Sequence, residues 1–193
     1  MKKLRMGPDT LLYPMPAVLV GSIVEGRINF MTAAWCGIAC RKPPCLALAV
    51  HRDRYTLKGI QEMGAFSVNV PSTAMAEKVD FCGIYSGRKK DKSEMFEVFY
   101  GVLDPVPLVK ECPVNLECRL LHVFELGTHF LVIGEIVETH VTDTCMEDNV
   151  PDPAKVDPLI YSPKSRTYHR IGEAMGKAFQ MGKQVEYRDE EPR

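Results

Sequence analysis

Three short segments of this 193-residue chain combine residue types that could hold a polar ligand. The first reads Asn29-Phe30-Met31-Thr32-Ala33-Ala34-Trp35. Small side chains at 32–34 leave room for a flat molecule along a strand edge, where backbone N–H and C=O groups can read the polar rim of a ring. The same pattern suits a strand that closes tightly on a neighbour, with Trp35 in the core. The second segment, His51-Arg52-Asp53-Arg54-Tyr55-Thr56, joins an apolar run to a helical pattern. Thr56 can cap that helix, whose free N–H groups and macrodipole attract an anion, and Arg52 can add a forked, charge-assisted clamp on a phosphate. A solvated turn in which Asp53 neutralises one arginine fits as well. The third, Ser86-Gly87-Arg88-Lys89-Lys90-Asp91-Lys92, is a serine–glycine turn followed by a cationic run. It can wrap a phosphate or simply face solvent.

Other chemistries lose ground. The seven cysteines include no Cys-x-x-Cys pair, and the spacing of Cys36, Cys40 and Cys45 matches no common zinc or iron–sulfur pattern. They read as reduced thiols used as small hydrophobes, and no metal site is expected. Cys82 lies beside the cationic loop, where nearby charge could lower a thiol pKa, although a buried inert thiol is the plainer reading. The five histidines are scattered without ligand spacing, and no dinucleotide-binding glycine motif, P-loop, zinc-protease motif or hydrolase elbow occurs. A net charge of -1 gives no basic surplus for nucleic acid. The N-terminus is too poor in apolar residues for a signal peptide, and no apolar run approaches a membrane span, so a cytoplasmic protein is expected.

The elements that must position these segments read as mainly β. Residues 17–24 form a buried strand, and Glu25-Gly26 turns the chain into a second strand that continues through Asn29 toward Cys36. Lys42-Pro43-Pro44 breaks regular structure before a nearly all-apolar strand at 45–51, which should be covered on both faces. A helix is expected over 54–64 with Leu57, Ile60 and Met63 inward, then a strand at 66–70, a short helix at 73–82, a loop at 83–92 and a helical turn within 93–100. Alternation from Val114 and the apolar centre of residues 129–142 give two further strands. Residues 149–158, with three prolines, read as an irregular arm, 167–180 as a final short helix, and the stretch from Lys183 as a charged, mobile tail. Strand and helix do not alternate as in a doubly wound sheet, so an antiparallel β-barrel with inserted α-helices fits best. It is expected to fill residues 1–182, with 183–193 as the tail.

Taken in order, these segments resemble the flavin reductase-like family with its FMN-binding split barrel, and the flavoredoxin branch most of all. The resemblance begins at residues 13–20 and runs through 29–35, Pro43-Pro44, 46–50, 54–60 and 66–72. It continues through Asp80-Phe81-Cys82-Gly83, Ser86-Gly87, Asp91-Lys92, 111–113, 116–118 and 133–137, and closes with 168–172 and 176–179. It implies a homodimer with one FMN per subunit near the interface. Within the segment Asn29, Phe30, Met31, Thr32, Ala33, Ala34 and Trp35, it sets residues 31–34 along the isoalloxazine. It sets His51, Arg52 and Thr56 at the ribityl phosphate, and Cys82, Gly83, Ser86, Gly87 and Lys92 around the rest of the grip. One departure concerns the loop: the family often has an aromatic after the Asp-Lys pair, whereas Ser93 follows Lys92 here and Phe96 comes later.

The activity so implied is electron transfer from NADH or NADPH, through FMN, to free flavin, a metal complex or a partner protein. His122, His169 and Tyr168 either border the substrate side or serve the structure. A non-enzymatic electron carrier needs the same pocket, and a barrel that has lost its flavin is a third reading.

Overall fold

A computed structural model describes residues 1–185 of the chain. The main elements are strands β1 (Val18–Val24), β2 (Arg27–Ala33), β3 (Cys36–Arg41) and β4 (Pro44–His51), helix α1 (Tyr55–Met63), strand β5 (Ala65–Val70) and helix α2 (Ala76–Ile84). Long strands β6 (Val114–Leu126) and β7 (His129–Val141) follow, then the short helix α3 (Pro153–Val156) and strands β8 (Ile160–Ser162) and β9 (Thr167–His169). The principal sheet has seven strands, all paired antiparallel, in the order β2-β1-β5-β6-β7-β4-β3. The sheet curls far enough for β2 to approach β4, and the Ala49 N–H donates to the Trp35 carbonyl at 2.9 Å. This is the mainly-β barrel expected, built of one curled sheet with few helices.

Two cores sit on opposite faces of β1 and β2. Inside the barrel, Val18, Val20, Met31, Leu46, Leu48 and Val132 meet Phe66, Leu57 and Ile60. Outside it, Leu19 and Phe30 meet Val79 and Cys82 of α2, Phe96 and Leu159. Successive side chains on a strand point to opposite faces, so β1 is apolar at nearly every position because both its faces are covered. Gly59 lets α1 lie directly on β1: a β-carbon there would come within 2.4 Å of the Ile23 carbonyl oxygen. Gly134 similarly receives the Phe66 ring.

Three expectations are corrected. The strand entering at 27 does not run on to Cys36; it ends at Ala33, and residues 34–35 turn the chain into β3. The helical turn expected within 93–100 is present as a single 3-10 turn, Ser93–Met95, followed by the two-residue strand Val98–Phe99. The proline arm is partly regular: Asp152 caps α3 by accepting from the Ala154 N–H at 2.8 Å, with Pro153 at the first helical position. No helix forms over 167–180. Thr167–His169 pairs with β8, and the chain beyond it reaches only a 3-10 turn at Met181–Gln184. Ile171, Met175 and Phe179 have helical spacing, but Met175 and Phe179 are 93% and 94% exposed, so no core draws them into a helix. Gly172 and Gly176 also lower helix propensity there. Most of the charged tail lies outside the described residues.

Candidate cofactor site

A cleft with two lobes opens between the end of β2, the end of β4, the start of α1 and the segment that follows α2. The lobes measure about 370 and 470 Å³ and share Met31, His51, Arg54 and His129.

The polar lobe is built at the start of α1. Arg54 occupies the N-cap position with extended backbone angles, no side chain caps the helix, and its first turn holds no acidic residue. The helix therefore presents its positive end and free N–H groups uncompensated. The Arg54 guanidinium donates to the Gly83 carbonyl at 3.0 Å, linking the start of α1 to the end of α2. Lys92 lines the same lobe. It is 2% exposed, and its ammonium donates to the Tyr85 carbonyl at 3.0 Å. Burial pulls its pKa down, partly offset by Cys82 and reinforced by Arg54. Among the described residues it has no carboxylate partner. Ser86 and Gly87 complete the wall. Behind Gly87 lies Asn29, whose Nδ2 donates to the Thr56 hydroxyl at 2.7 Å. Its Oδ1 is buried without a hydrogen-bond partner among the described residues. A β-carbon on residue 87 would come within 2.0 Å of that oxygen, so the wall is as thin as glycine allows.

The flat lobe is floored by residues 31–35 and by Ala49 and Val50 of β4. Alternation turns Met31 and Ala33 into the barrel and Thr32 toward α2, where its hydroxyl donates to the Val79 carbonyl. Trp35 stacks on His129, with ring centroids 4.7 Å apart, and His129 meets His51 edge-on at 5.1 Å. Burial, with His51 beside it, lowers the His129 pKa and favours the neutral ring. Asp80 and Gly83 of α2 and Tyr161, Arg166 and Tyr168 of the β8–β9 hairpin form the outer side.

The structure therefore sets Met31, Thr32, Ala33, Ala34, Trp35, His51, Thr56, Cys82, Gly83, Ser86, Gly87 and Lys92 on the cleft wall. Three other candidates stand elsewhere. Phe30 is buried in the outer core, edge-on to Phe96 at 5.4 Å, because it falls on the opposite face of β2 from Met31. Asn29 lies behind the wall. Arg52 turns away: its guanidinium pairs with Glu125 at 3.1 Å and donates to the Gly127 carbonyl, while its backbone N–H bonds Thr128. His51 ends β4 on the cleft; residues 52–53 form a turn, closed by the Arg54 N–H donating to the His51 carbonyl at 2.9 Å, and this turn sends Arg52 outward and brings Arg54 back to the cleft at the start of α1. Thr56 is the second helical residue rather than the cap. Asp53 neutralises neither arginine; it lies 3.6 Å from His51. Arg88, Lys89 and Lys90 are exposed, and Arg88 lies over the Tyr55 ring at 5.6 Å. Burial raises the Cys82 thiol to about 11 in spite of Lys92, so the cationic loop does not activate it. Arg54 is the cationic residue on the cleft wall that the sequence argument passed over. Its signal is an arginine where a helix start usually carries Ser, Thr, Asp or Asn.

The residues present fit FMN. A dianionic phosphate matches a bare helix start, a guanidinium and a buried ammonium without a carboxylate. An orphaned buried acceptor behind a glycine matches a chain of hydroxyl donors, and a lobe floored by small residues matches a flat ring. Among the described residues no cluster of His, Cys, Asp or Glu could hold a metal ion.

A family model described as the flavin reductase like domain matches residues 10–172. The crystal structure of flavoredoxin from Methanosarcina acetivorans is similar at a TM-score of 0.92 and 39% identity, over 95% of this chain and 98% of that one. Flavoredoxin of Desulfovibrio vulgaris (Miyazaki F) gives 0.86 and 41%, over 94% and 100%. An FMN-binding protein from Thermus thermophilus, with bound p-hydroxybenzaldehyde, gives 0.79 and 27%, over 92% and 99%. A match across most of the sequence, with a barrel that follows the two flavoredoxins from end to end, means that the chain belongs to the flavin reductase-like family.

Proposed function

We propose that the chain holds one FMN per subunit in this cleft and works as an oxidoreductase that takes electrons from NADH or NADPH and passes them to free flavin, a metal complex or a protein acceptor. The observation that carries the reading is Lys92, a buried cation without a carboxylate partner among the described residues, in the same lobe as Arg54 and an uncapped helix start. Arg54, Lys92 and the first-turn N–H groups of α1 hold the phosphate. Ser86 and Gly87 line the ribityl stretch, and residues 31–34 lie along the ring. FMN, when bound, supplies the acceptance and release of one or two electrons, which side chains cannot provide. The chain's own groups bind, orient and exclude water. Trp35 and neutral His129 cover one end of the flat lobe, and the Thr32–Val79 bond fixes the strand edge. No nucleophile or acid–base triad is needed for this chemistry.

The homodimer belongs to the same proposal. Ile38 on β3 and Phe124 and Leu126 on β6 are large, apolar and 72%, 51% and 57% exposed, a distribution that suits a contact between two copies. Titration of the purified chain with FMN, followed by anaerobic stopped-flow mixing with NADH or NADPH, tests the reading. One FMN per chain and rapid bleaching of the bound flavin support it. Bound flavin that neither nucleotide bleaches leaves a carrier and removes the nicotinamide step. Absence of FMN uptake removes the whole reading.

A further inference from the structure

The outer side of the flat lobe is a hairpin whose tip spends stability on an arginine. Residues 163–166 join β8 to β9, and Arg166 closes the turn at φ 52°, a left-handed conformation that Gly or Asn adopts at least cost. Tyr168 on β9 ties the hairpin to α2, its hydroxyl donating to Asp80 Oδ1 at 3.0 Å. The Tyr161 and Tyr168 rings lie 5.7 Å apart and line the same lobe. Arg166 also lines it, yet among the described residues it makes no ion pair and no side-chain hydrogen bond. Strain in a side chain with no contact of its own points to a contact made with a ligand. Asp80 is the carboxylate among the residues lining the lobe, and Tyr168 already occupies one of its oxygens.

We propose that Arg166 is a specificity-determining residue that recognises an anionic group, carboxylate or phosphate, on a ring-bearing small molecule exchanging electrons with the flavin. The proposal rests on the flavin reading above. A guanidinium matches either anion with paired hydrogen bonds, and the tyrosines offer a flat ring its walls. Because Arg166 stands at the mouth, in contact with solvent, its effect is moderate and falls with added salt.

The test uses FMN-loaded protein at low ionic strength. Three probes are titrated against the bound-flavin spectrum: neutral p-hydroxybenzaldehyde, its carboxylate counterpart p-hydroxybenzoate, and phenyl phosphate. The expected result is that at least one anion binds about tenfold tighter than the aldehyde. Which anion gains identifies the group recognised. In Arg166→Gly and Arg166→Asn the gain disappears while FMN is still taken up, and the melting temperature stays level or rises because the turn is relieved. No preference for either anion in the parent protein, or a preference that survives in Arg166→Gly, overturns the proposal while leaving the flavin reading intact. A parent protein that takes up no FMN overturns both.

Discussion

Arg52 and Arg54 are two residues apart and make different commitments. Arg52 closes the β6–β7 turn, and Arg54 faces the cleft. Arg54→Ala should weaken FMN binding by about ten- to a hundredfold, the worth of one or two charge-assisted hydrogen bonds. Arg52→Ala should leave it within about twofold, and flavin fluorescence titration of both variants checks the contrast. Lys92→Met should also lose affinity while keeping the fold, because an unpaired buried cation is costly when no anion accompanies it. At this scale the sequence identified the segment but misplaced the side chain. Spacing alone could not say that the strand stops at His51 and that a turn at 52–53 carries Arg52 to Glu125 while returning Arg54 to the helix start. Phe30 lies in the outer core because a seven-residue match says nothing about which alternate positions face the cleft.

The helix starts and loops carry the next set of consequences. Glu117 of β6 is fully buried and accepts from the Val102 and Leu103 N–H groups and from His140, 2.6 Å away, so it holds the loop that crosses β6 and β7. Burial alone would raise its pKa. The His140 hydrogen bond and the two N–H groups outweigh that and hold it below the usual 4.5. A depressed folded-state pKa gives stability that is fully present above the unfolded value and is lost as pH falls through the folded one. The loop should therefore loosen below about pH 4.5, seen as faster amide exchange at Val102 and Leu103. Glu117→Gln should cost about 1–3 kcal/mol near neutral pH and flatten that acid limb in denaturant titrations. Gly59→Ala should destabilise by a similar amount, because its new methyl meets a backbone carbonyl that cannot rotate aside. Helix α1 and strands β4 to β7 were legible from apolar period and turn residues. The stretch at 167–180 was not: its helical spacing is real, but nothing in one subunit covers that face.

Over the whole molecule, the exposed apolar positions on β3 and β6 and along the chain after β9 call for a partner surface. Sedimentation should report a dimer, and Phe124→Glu should shift it toward monomer without unfolding the barrel. The β-rich class was readable because strands that are apolar throughout, as at β1 and β4, need cover on both faces, and strand and helix do not alternate along the chain as a doubly wound sheet requires. The sheet order was not readable, since it depends on pairings between segments far apart in the chain. All three scales bear on the proposed phosphate site of Arg54, Lys92 and the start of α1. The most direct measurement compares FMN with riboflavin, the same ring and ribityl chain without the phosphate. FMN should bind at least about a hundredfold tighter, and the gap should shrink about tenfold or more in Arg54→Ala. Equal affinity for the two flavins would contradict the account.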